Sequence, residues 1–574
     1  MNKVACLAAL AAFVTCHTFA ASPWRETMGF SITTNVGYGN EVFVVGNHPD
    51  LGSWNPTRAA KLYWTDGNVW TGKVGIKSGE TVDYKFVSLP NTPDDVCDPA
   101  NANWMPPGEG THSVTTAPAQ PDAPYVGKTI YYFSSLTNIT LIYSSAGGDF
   151  ATAPMNVVGA GRQSGEFLYR VSEIGEAGER IEFVLSGMSG GNTIYDHAPY
   201  PGYGSEPDNN YFTTLDAFYL QDGNIFNYRP PATVSPSQII SSNAVSTFSP
   251  SPSRTMKIYL PRGYTENTWK RYPVIYMHDG ENTFYPGGVN GSWDAGGTAD
   301  REISQGRMRE SIIVALNSTS QRTREYLPPE DNSGGAGFGD VYGNFLKYDV
   351  KAKIDAEFRT LPDRPNTATI GASSGGLIVT YLGWATNVFG LIGPFSPAYL
   401  ISPNFNQRIA NEPKQPLRIF TATGTAGDPE VRILPDTWPV LDSFLKKGYV
   451  SNVDLVSRIG CGQMHNEATW ASWLPECFRF LLNIWDEPNR VAQDEHPPVI
   501  TWASGGDGPT ALVHRTLAGF RYELQLATNG IAGNWQLLQG STPEVLPWSS
   551  RLWPLTNVPQ SARTAFFSQL GELI

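Results

Sequence analysis

The sequence predicts a multidomain chain: β-sandwich modules, then a domain of alternating strands and helices on a mainly parallel sheet, then a small C-terminal β domain. Three observations carry this. Of 574 residues only 16% are charged while 12% are aromatic, and there are 57 Gly and 44 Pro, a turn-rich β composition. The first 250 residues or so show short alternating runs with turn signals between them, whereas apolar strands alternate with helix-like stretches from Arg254 to about Lys447. Within that second region Thr367–Ile370 runs into Gly371-Ala372-Ser373-Ser374-Gly375 and an apolar helix-compatible stretch, the strand–turn–helix context of a G-x-S-x-G elbow.

Met1-Asn2-Lys3, the apolar run Val4 to Val14 and the small-x-small site Thr18-Phe19-Ala20 read as a signal peptide over 1–20. The expectation is a secreted or periplasmic protein. No later run approaches the ~20 apolar residues of a membrane span. A net charge of −13 disfavours nucleic acid and anionic membrane as partners and suits a neutral polymer such as polysaccharide. Beyond the signal lie Cys97, Cys461 and Cys477. In an oxidising compartment the expected pair is Cys461–Cys477, with Cys97 left over.

Residues 24–118 form the first module. Strand-like runs cover Gly29 to Val45, Val69 to Ile76 and Thr81 to Val87, and aromatics fall in turn-rich places at Tyr38, Trp54, Tyr63, Trp64 and Trp104. Exposed aromatics stack on the apolar faces of sugars, though most sandwich tryptophans pack inside. Gly37-Tyr-Gly-Asn-Glu-Val-Phe-Val-Val-Gly46, Leu51-Gly-Ser-Trp54, Trp70 and Val82-Asp-Tyr-Lys-Phe86 resemble the starch-binding carbohydrate-binding module of family 20. That resemblance implies α-glucan as partner. It places Trp54 and Lys85 in one sugar site, and Tyr38 with Tyr63 or Trp64 in a second. Where the family has a Trp-Glu-x-x-x-Asn-Arg stretch, this chain has Val96-Cys-Asp-Pro-Ala-Asn-Ala-Asn-Trp104; Asn101 or Asn103 would take the polar role and Trp104 the stacking one.

After a Pro/Ala linker, residues 125–232 carry strand signals at 129–133, 139–143, 167–171 and 180–185, a second sandwich. It loosely resembles starch-binding modules of families 25 and 26 through its opening strand and the Asp208-Asn-Asn-Tyr211 turn. A spacer between binding module and catalytic domain is the other reading.

Residues 236–488 follow a Ser/Pro-rich linker at 235–252. Strands are expected at 254–261, 272–277, 311–316, 367–370 and 417–422, with helices at 348–358 and 440–447. In the α/β-hydrolase order an acid and then a histidine follow the elbow serine. The strand ending near Ala422 enters Thr423-Gly-Thr-Ala-Gly-Asp428-Pro-Glu430, and Gly460-Cys-Gly-Gln-Met-His465 lies downstream. This order makes Ser373, Asp428 and His465 the candidate triad, with Glu430 as the alternative acid. A serine hydroxyl needs an imidazole to take its proton, and the imidazole needs a carboxylate to fix its tautomer. Oxyanion donors are expected from the Ser374 amide and from the Gly280–Glu281 region after the 272–277 strand.

Ile258-Tyr-Leu-Pro-Arg-Gly-Tyr264, Tyr272-Pro-Val-Ile-Tyr-Met-His-Asp-Gly280, Arg324-Glu-Tyr326, the elbow and Met464-His-Asn-Glu-Ala-Thr-Trp470 resemble the esterase family of feruloyl esterases, S-formylglutathione hydrolase and enterochelin esterases. The resemblance implies ester hydrolysis by Ser373, Asp428 and His465 without metal or cofactor. The acid loop Gly-Thr-Ala-Gly-Asp is one residue longer than the family's commoner Gly-Thr-x-Asp/Glu, which keeps Glu430 open. Arg324 could touch substrate, but a structural ion pair is the commoner fate of such an arginine. Residues 495–574 read as a small β domain with strands at 520–527 and 536–539.

Two functions follow as expectations. One is a secreted serine carboxylesterase held on starch-like glucan; the other is a non-catalytic glucan-binding or adhesion protein with a vestigial hydrolase domain.

Overall fold

The computed structural model describes residues 25–105, 112–116, 127–199, 209–333, 335–487 and 490–491, and the backbones of strands between 499 and 572. The expected signal peptide, most of the linker before the second sandwich and residues 200–208 lie outside the described residues.

The first module contains β1 (Arg25–Thr33), β2 (Asn40–Gly46), β3 (Ala60–Lys61), β4 (Tyr63–Thr65), β5 (Val69–Lys77), β6 (Thr81–Pro90), β7 (Asn103–Trp104) and β8 (His112–Thr115). They form one sheet in the order β1-β5-β4 and a second in the order β3-β2-β6-β7, with β8 also on β6. Side chains alternate across a strand, and β2 uses both faces. Val42 and Val44 join Phe30, Trp70 and Phe86 in the module's own core. Phe43 and Val45 instead join Val87, Leu89 and Val96 in a cluster shared with the hydrolase domain. A strand apolar on both faces is a strand buried on both faces.

The second module is built from β9 (Lys128–Ser134), β10 (Thr137–Ser145), β11 (Ala151–Pro154), β12 (Asn156–Ala160), β13 (Phe167–Ile174), β14 (Ile181–Ser189), β15 (Asn192–Asp196), β16 (Tyr211–Thr213), β17 (Ala217–Gln221) and β18 (Asn224–Phe226). Its two sheets enclose Ile130, Leu141, Phe183 and Phe218.

The hydrolase domain adds β19 (Gln238–Ala244), β20 (Arg254–Leu260), β21 (Val274–Met277), α1 (Ala295–Ser304), β22 (Ile312–Leu316), α2 (Arg322–Glu325), α3 (Gly339–Asn344), α4 (Ala352–Glu357), β23 (Thr367–Ala372), α5 (Ser374–Ala385), β24 (Leu391–Phe395), α6 (Pro403–Asn411), β25 (Arg418–Gly424), α7 (Glu430–Lys446), β26 (Leu455–Gly460) and α8 (Glu467–Leu481). The eight-stranded sheet runs β19-β20-β22-β21-β23-β24-β25-β26. It is parallel from β22 to β26, and β19 and β20 pair antiparallel at one edge, so the sheet is mixed. β19 lies within the stretch expected to be a linker. Its Gln-Ile-Ile-Ser-Ser-Asn-Ala run has the β-branched residues to extend the sheet. Separate apolar clusters cover the two faces, one around α5 and α7 and the other around α1 and α8. Beyond the hydrolase domain the chain continues in strands from Val499–Gly505 to Phe566–Glu572, forming two three-stranded sheets.

The first module docks along α7. Phe43 meets Trp438 edge-on at 6.3 Å, the Trp438 indole N–H donates to Asn91 O at 3.0 Å, and Gly75 N–H donates to Ser451 O at 2.8 Å. Lys61, buried, bonds Asp442 and sits 2.9 Å from Glu41. Burial pulls its pKa down, but Asp442 and Glu41 more than offset this and hold it above the ordinary lysine value. A disulfide joins Cys97 to Cys461 across this contact. This corrects the expected Cys461–Cys477 pair. Cys477 is buried on α8 and faces the sheet, where a Cβ on Gly393 would lie 3.1 Å from its Sγ.

Candidate active site

The C-terminal ends of β23, β24, β25 and β26 lie side by side at one sheet edge, the edge where side chains of parallel sheets gather for chemistry. Ser373 follows β23 at φ 60°, ψ −126°, a backbone conformation that an L-residue adopts only under constraint. The constraint comes from glycines that let backbone approach backbone. A Cβ on Gly371 would lie 2.8 Å from Gly375 O, and one on Gly376 would lie 2.7 Å from Phe395 O. Ser373 N–H donates to Phe395 O at 3.0 Å, which ties the turn to the end of β24. Ser374 opens α5, so its amide is among the N-terminal N–H groups that a helix leaves without an internal partner.

The acid is where the structure departs from the first-choice reading. Asp428 stands in solvent, its side chain 68% exposed, and bonds Arg432 at 2.5 Å. That bond holds its carboxyl below the usual aspartate range. Glu430, fully buried, opens α7 and lies 3.0 Å from His465 Nδ1. Ser396 Oγ donates to the same Oε1 at 2.6 Å, and Gly424 N–H donates to Oε2 at 3.2 Å. Gly424 makes this approach possible, because a Cβ there would sit 3.1 Å from the Glu430 carboxyl carbon. The longer loop carries Asp428 past the histidine and returns the next carboxylate to it. The structure thus brings the alternative acid, Glu430, to His465 and leaves Asp428, the first candidate, in solvent.

His465 is held from a second side by Trp470, edge-on with ring centroids 4.9 Å apart, and the Trp470 indole N–H donates to Ser396 Oγ at 3.2 Å. Ser396 and Trp470 thus brace the histidine–carboxylate pair. Ser396 had no sequence signal of its own, whereas Trp470 closes the Met464–Trp470 stretch of the esterase resemblance without a role assigned to it. Asn466 caps α8 by accepting from Thr469 N–H at 3.0 Å, which fixes the turn that presents His465.

The loop after β21 adjoins this edge. Asp279, at φ 54°, ψ 52°, lies next to the elbow, since a Cβ on Gly375 would be 3.3 Å from its Oδ2. Arg322 clamps that carboxylate with two bonds of 2.6 and 2.8 Å. Gly280 is buried against the β22 terminus, and the Glu281 carboxylate accepts from Ser318 N–H at 2.9 Å. Asn282 donates to Glu467 Oε1 at 2.9 Å, joining this loop to the histidine turn. His278 is sealed between Tyr342 OH at 2.8 Å and Thr369 Oγ1 at 2.9 Å, and burial pushes its pKa down to about 3. Arg324 donates to Ala336 O at 2.9 Å and lies over Phe338, a structural placement.

In the first module Tyr38, Trp54, Trp64 and Trp104 are exposed. Tyr63 instead packs against the cluster shared with the hydrolase domain. Lys85 pairs with Val45, and Trp54 N–H bonds Gly46 O, so both sit at the same end of β2. Asn101 spends its amide on Asp95 at 3.3 Å, bracing the loop after Cys97. Among the described residues no group of three or more His, Cys, Asp or Glu gathers to hold a metal, and no helix is long and apolar enough to cross a membrane.

Fold and site together define an α/β-hydrolase-type domain joined to a β-sandwich with exposed aromatics. Residues 27–116 match the family model described as "Starch binding domain", and residues 249–473 match that described as "Putative esterase". The chain thus carries a starch binding domain and an esterase-family domain. An α-amylase of Thermomonospora curvata is 41% identical over 68 residues, 12% of this chain and 11% of the amylase. A cyclomaltodextrin glucanotransferase of Klebsiella oxytoca is 32% identical over 89 residues, 15% of this chain and 13% of that protein. The chain spans about a tenth of the length of the curated relatives it matches. Among solved structures, a ferulic acid esterase is 19% identical (43% of this chain, 98% of that chain, TM-score 0.35). An IroE-like serine hydrolase from Shewanella oneidensis is 18% identical (43% and 81%, TM-score 0.36), and the enterobactin esterase FES from Shigella flexneri is 12% identical (80% and 92%, TM-score 0.35).

Proposed function

We propose that the protein is an exported serine carboxylesterase that cleaves an ester presented on polysaccharide and is held there by its starch binding domain. The observation that carries the reading is the His465–Glu430 contact at the sheet edge shared with the Ser373 elbow.

With Nδ1–H donated to Glu430, the other ring nitrogen of His465 is the base. It takes the Ser373 proton as Oγ attacks the ester carbonyl. The tetrahedral oxyanion is met by backbone amides, with Ser374 and the Gly280 turn as the candidates, each such donor contributing about 3 kcal/mol. Collapse breaks the ester C–O bond, and the alcohol leaves with the proton from His465. Water then attacks the acyl-serine, gives its proton to His465, and the carboxylic acid departs as that proton returns to Ser373. Export is supported by the charged start, apolar run and small-x-small site of residues 1–20.

A panel of aryl and sugar esters, run beside a granular-starch pull-down, tests the reading. Wild type should hydrolyse at least one ester and bind starch, and Ser373→Ala should bind starch without turnover. A wild type inert across the panel yet bound to starch would favour the non-catalytic alternative.

A further inference from the structure

The first module, the second module and the hydrolase domain meet around one place. Lys77 of the first module pairs with Glu179 of the second. Phe212 N–H of the second module donates to Gln305 Oε1 of the hydrolase domain at 2.9 Å, and Asn452 Nδ2 of the hydrolase domain donates to Asp50 O of the first module at 3.0 Å. These contacts border two open cavities of about 560 and 570 Å³, which share Arg25, Asp50, Arg479 and Asn483 as a common wall. Cavities of roughly 300–1,000 Å³ are the size that holds small organic ligands. No residue of the candidate catalytic site lines either one.

The walls are basic. Arg25, Lys77, Arg180, Arg307 and Arg479 line the first cavity, against Asp50 and Glu179. The second adds Arg58, Arg418 and Arg458 to Arg25 and Arg479, against Asp50 and Glu476. The chain as a whole carries a net charge of −13, so this is a local concentration of cations and not a reflection of composition. Carboxylates behind the walls orient several of the guanidiniums. Glu302, wholly buried, holds both Arg307 and Arg479, and Asp486 bonds Arg418. Arg479 meets Glu302 only at 3.4 Å and keeps a third of its side chain exposed. Arg58 is exposed and makes no ion pair among the described residues. A guanidinium presents five donors in a fixed fork, more than one carboxylate takes up. Trp485, half-buried, adds an apolar plane to the first cavity.

We propose that the wall common to both cavities binds the phosphate group of a phosphorylated saccharide, with Arg25 and Arg479 on the phosphate oxygens and the sugar ring against Trp485. A dianionic phosphate suits a wall with more cations than carboxylates, and guanidinium forks match its oxygens. The cavity is larger than a lone phosphate fills, and the indole supplies the plane on which a ring packs. The site draws residues from all three domains, so an occupied site ties them together. It is independent of the esterase reading, because none of its residues takes part in that chemistry.

The test is calorimetric titration of the full chain with glucose 6-phosphate, inorganic phosphate and glucose, the last as control for the starch binding domain. Glucose 6-phosphate should bind at least tenfold more tightly than either of the others. Arg479→Gln should weaken that binding tenfold or more, and Arg58→Gln, at an exposed turn, threefold or more. Unchanged affinity in Arg479→Gln would overturn the proposal; should that variant not fold, unchanged affinity in Arg58→Gln would do so. Equal affinity for glucose 6-phosphate and inorganic phosphate would assign the site to the free ion and overturn the saccharide. Absence of binding by both would overturn the site altogether.

Discussion

Glu430 Oε1 lies 3.0 Å from His465 Nδ1, and the carboxylate that makes this contact is wholly buried. Its two other donors, Ser396 Oγ and Gly424 N–H, fix its orientation before any substrate arrives. Preorganisation of this kind lets a buried carboxylate stabilise an imidazolium at the moment it forms.

Glu430→Gln should therefore lower kcat on a small aryl ester by about 10³- to 10⁴-fold, as loss of a triad acid does. Asp428→Asn, in solvent with Arg432, should cost far less on the same ester. Steady-state kinetics of the two variants decide between the acids, and the reverse ranking would restore Asp428.

Ser396→Ala removes a hydrogen bond to Glu430 and one from Trp470. Each buried bond is worth about 1 kcal/mol net, and more where a charged group is one partner. A five- to fiftyfold loss in kcat with little change in KM is expected, since the serine steers the acid and not the substrate. A loss confined to KM would contradict that role.

Reducing the Cys97–Cys461 bond, or replacing both cysteines by serine, should lower stability by about 2–5 kcal/mol. Thermal melting with and without reductant reads this directly. The bond joins two domains and precedes the His465 turn, so the same treatment should reduce turnover before the protein unfolds. Equal melting temperatures in both conditions would show that the docked contact alone holds the module.

His278 gives a pH signature. Its folded pKa is about 3 against 6.5 for the free side chain, so the unfolded chain binds the extra proton between those values. Stability from this residue is complete above pH 6.5 and lost as pH falls toward 3, by at most about 5 kcal/mol. His278→Gln should be less stable at neutral pH, because Tyr342 and Thr369 lose the imidazole, but should show a shallower acid-side decline. Denaturant midpoints measured across that pH interval test it.

Much of this site was legible in the chain. The elbow was readable because its glycines are demanded by backbone contacts, and a local steric need leaves a local motif. His465 was readable from chain order and the helix start that follows it. The choice between Asp428 and Glu430 was not, because two carboxylates in one loop differ only in which faces inward, and the helix beginning at Glu430 settles that. The cysteine pairing failed for a related reason. Cys461 and Cys477 are close in sequence, but α8 turns one into the core, and docking of a distant module supplies the partner. Tyr63 and Trp64 are neighbours on one strand, so alternation puts one against α7 and the other in solvent, and only the docked face says which.

The proposed esterase chemistry requires Ser373 to be a nucleophile activated by the His465–Glu430 pair. Labelling the intact protein with a fluorophosphonate, followed by peptide mass spectrometry, tests it most directly. One phosphonylated residue is expected, Ser373, with labelling lost in Ser373→Ala and slowed at least a hundredfold in His465→Ala. No label on wild type, or equal labelling of wild type and His465→Ala, would contradict it.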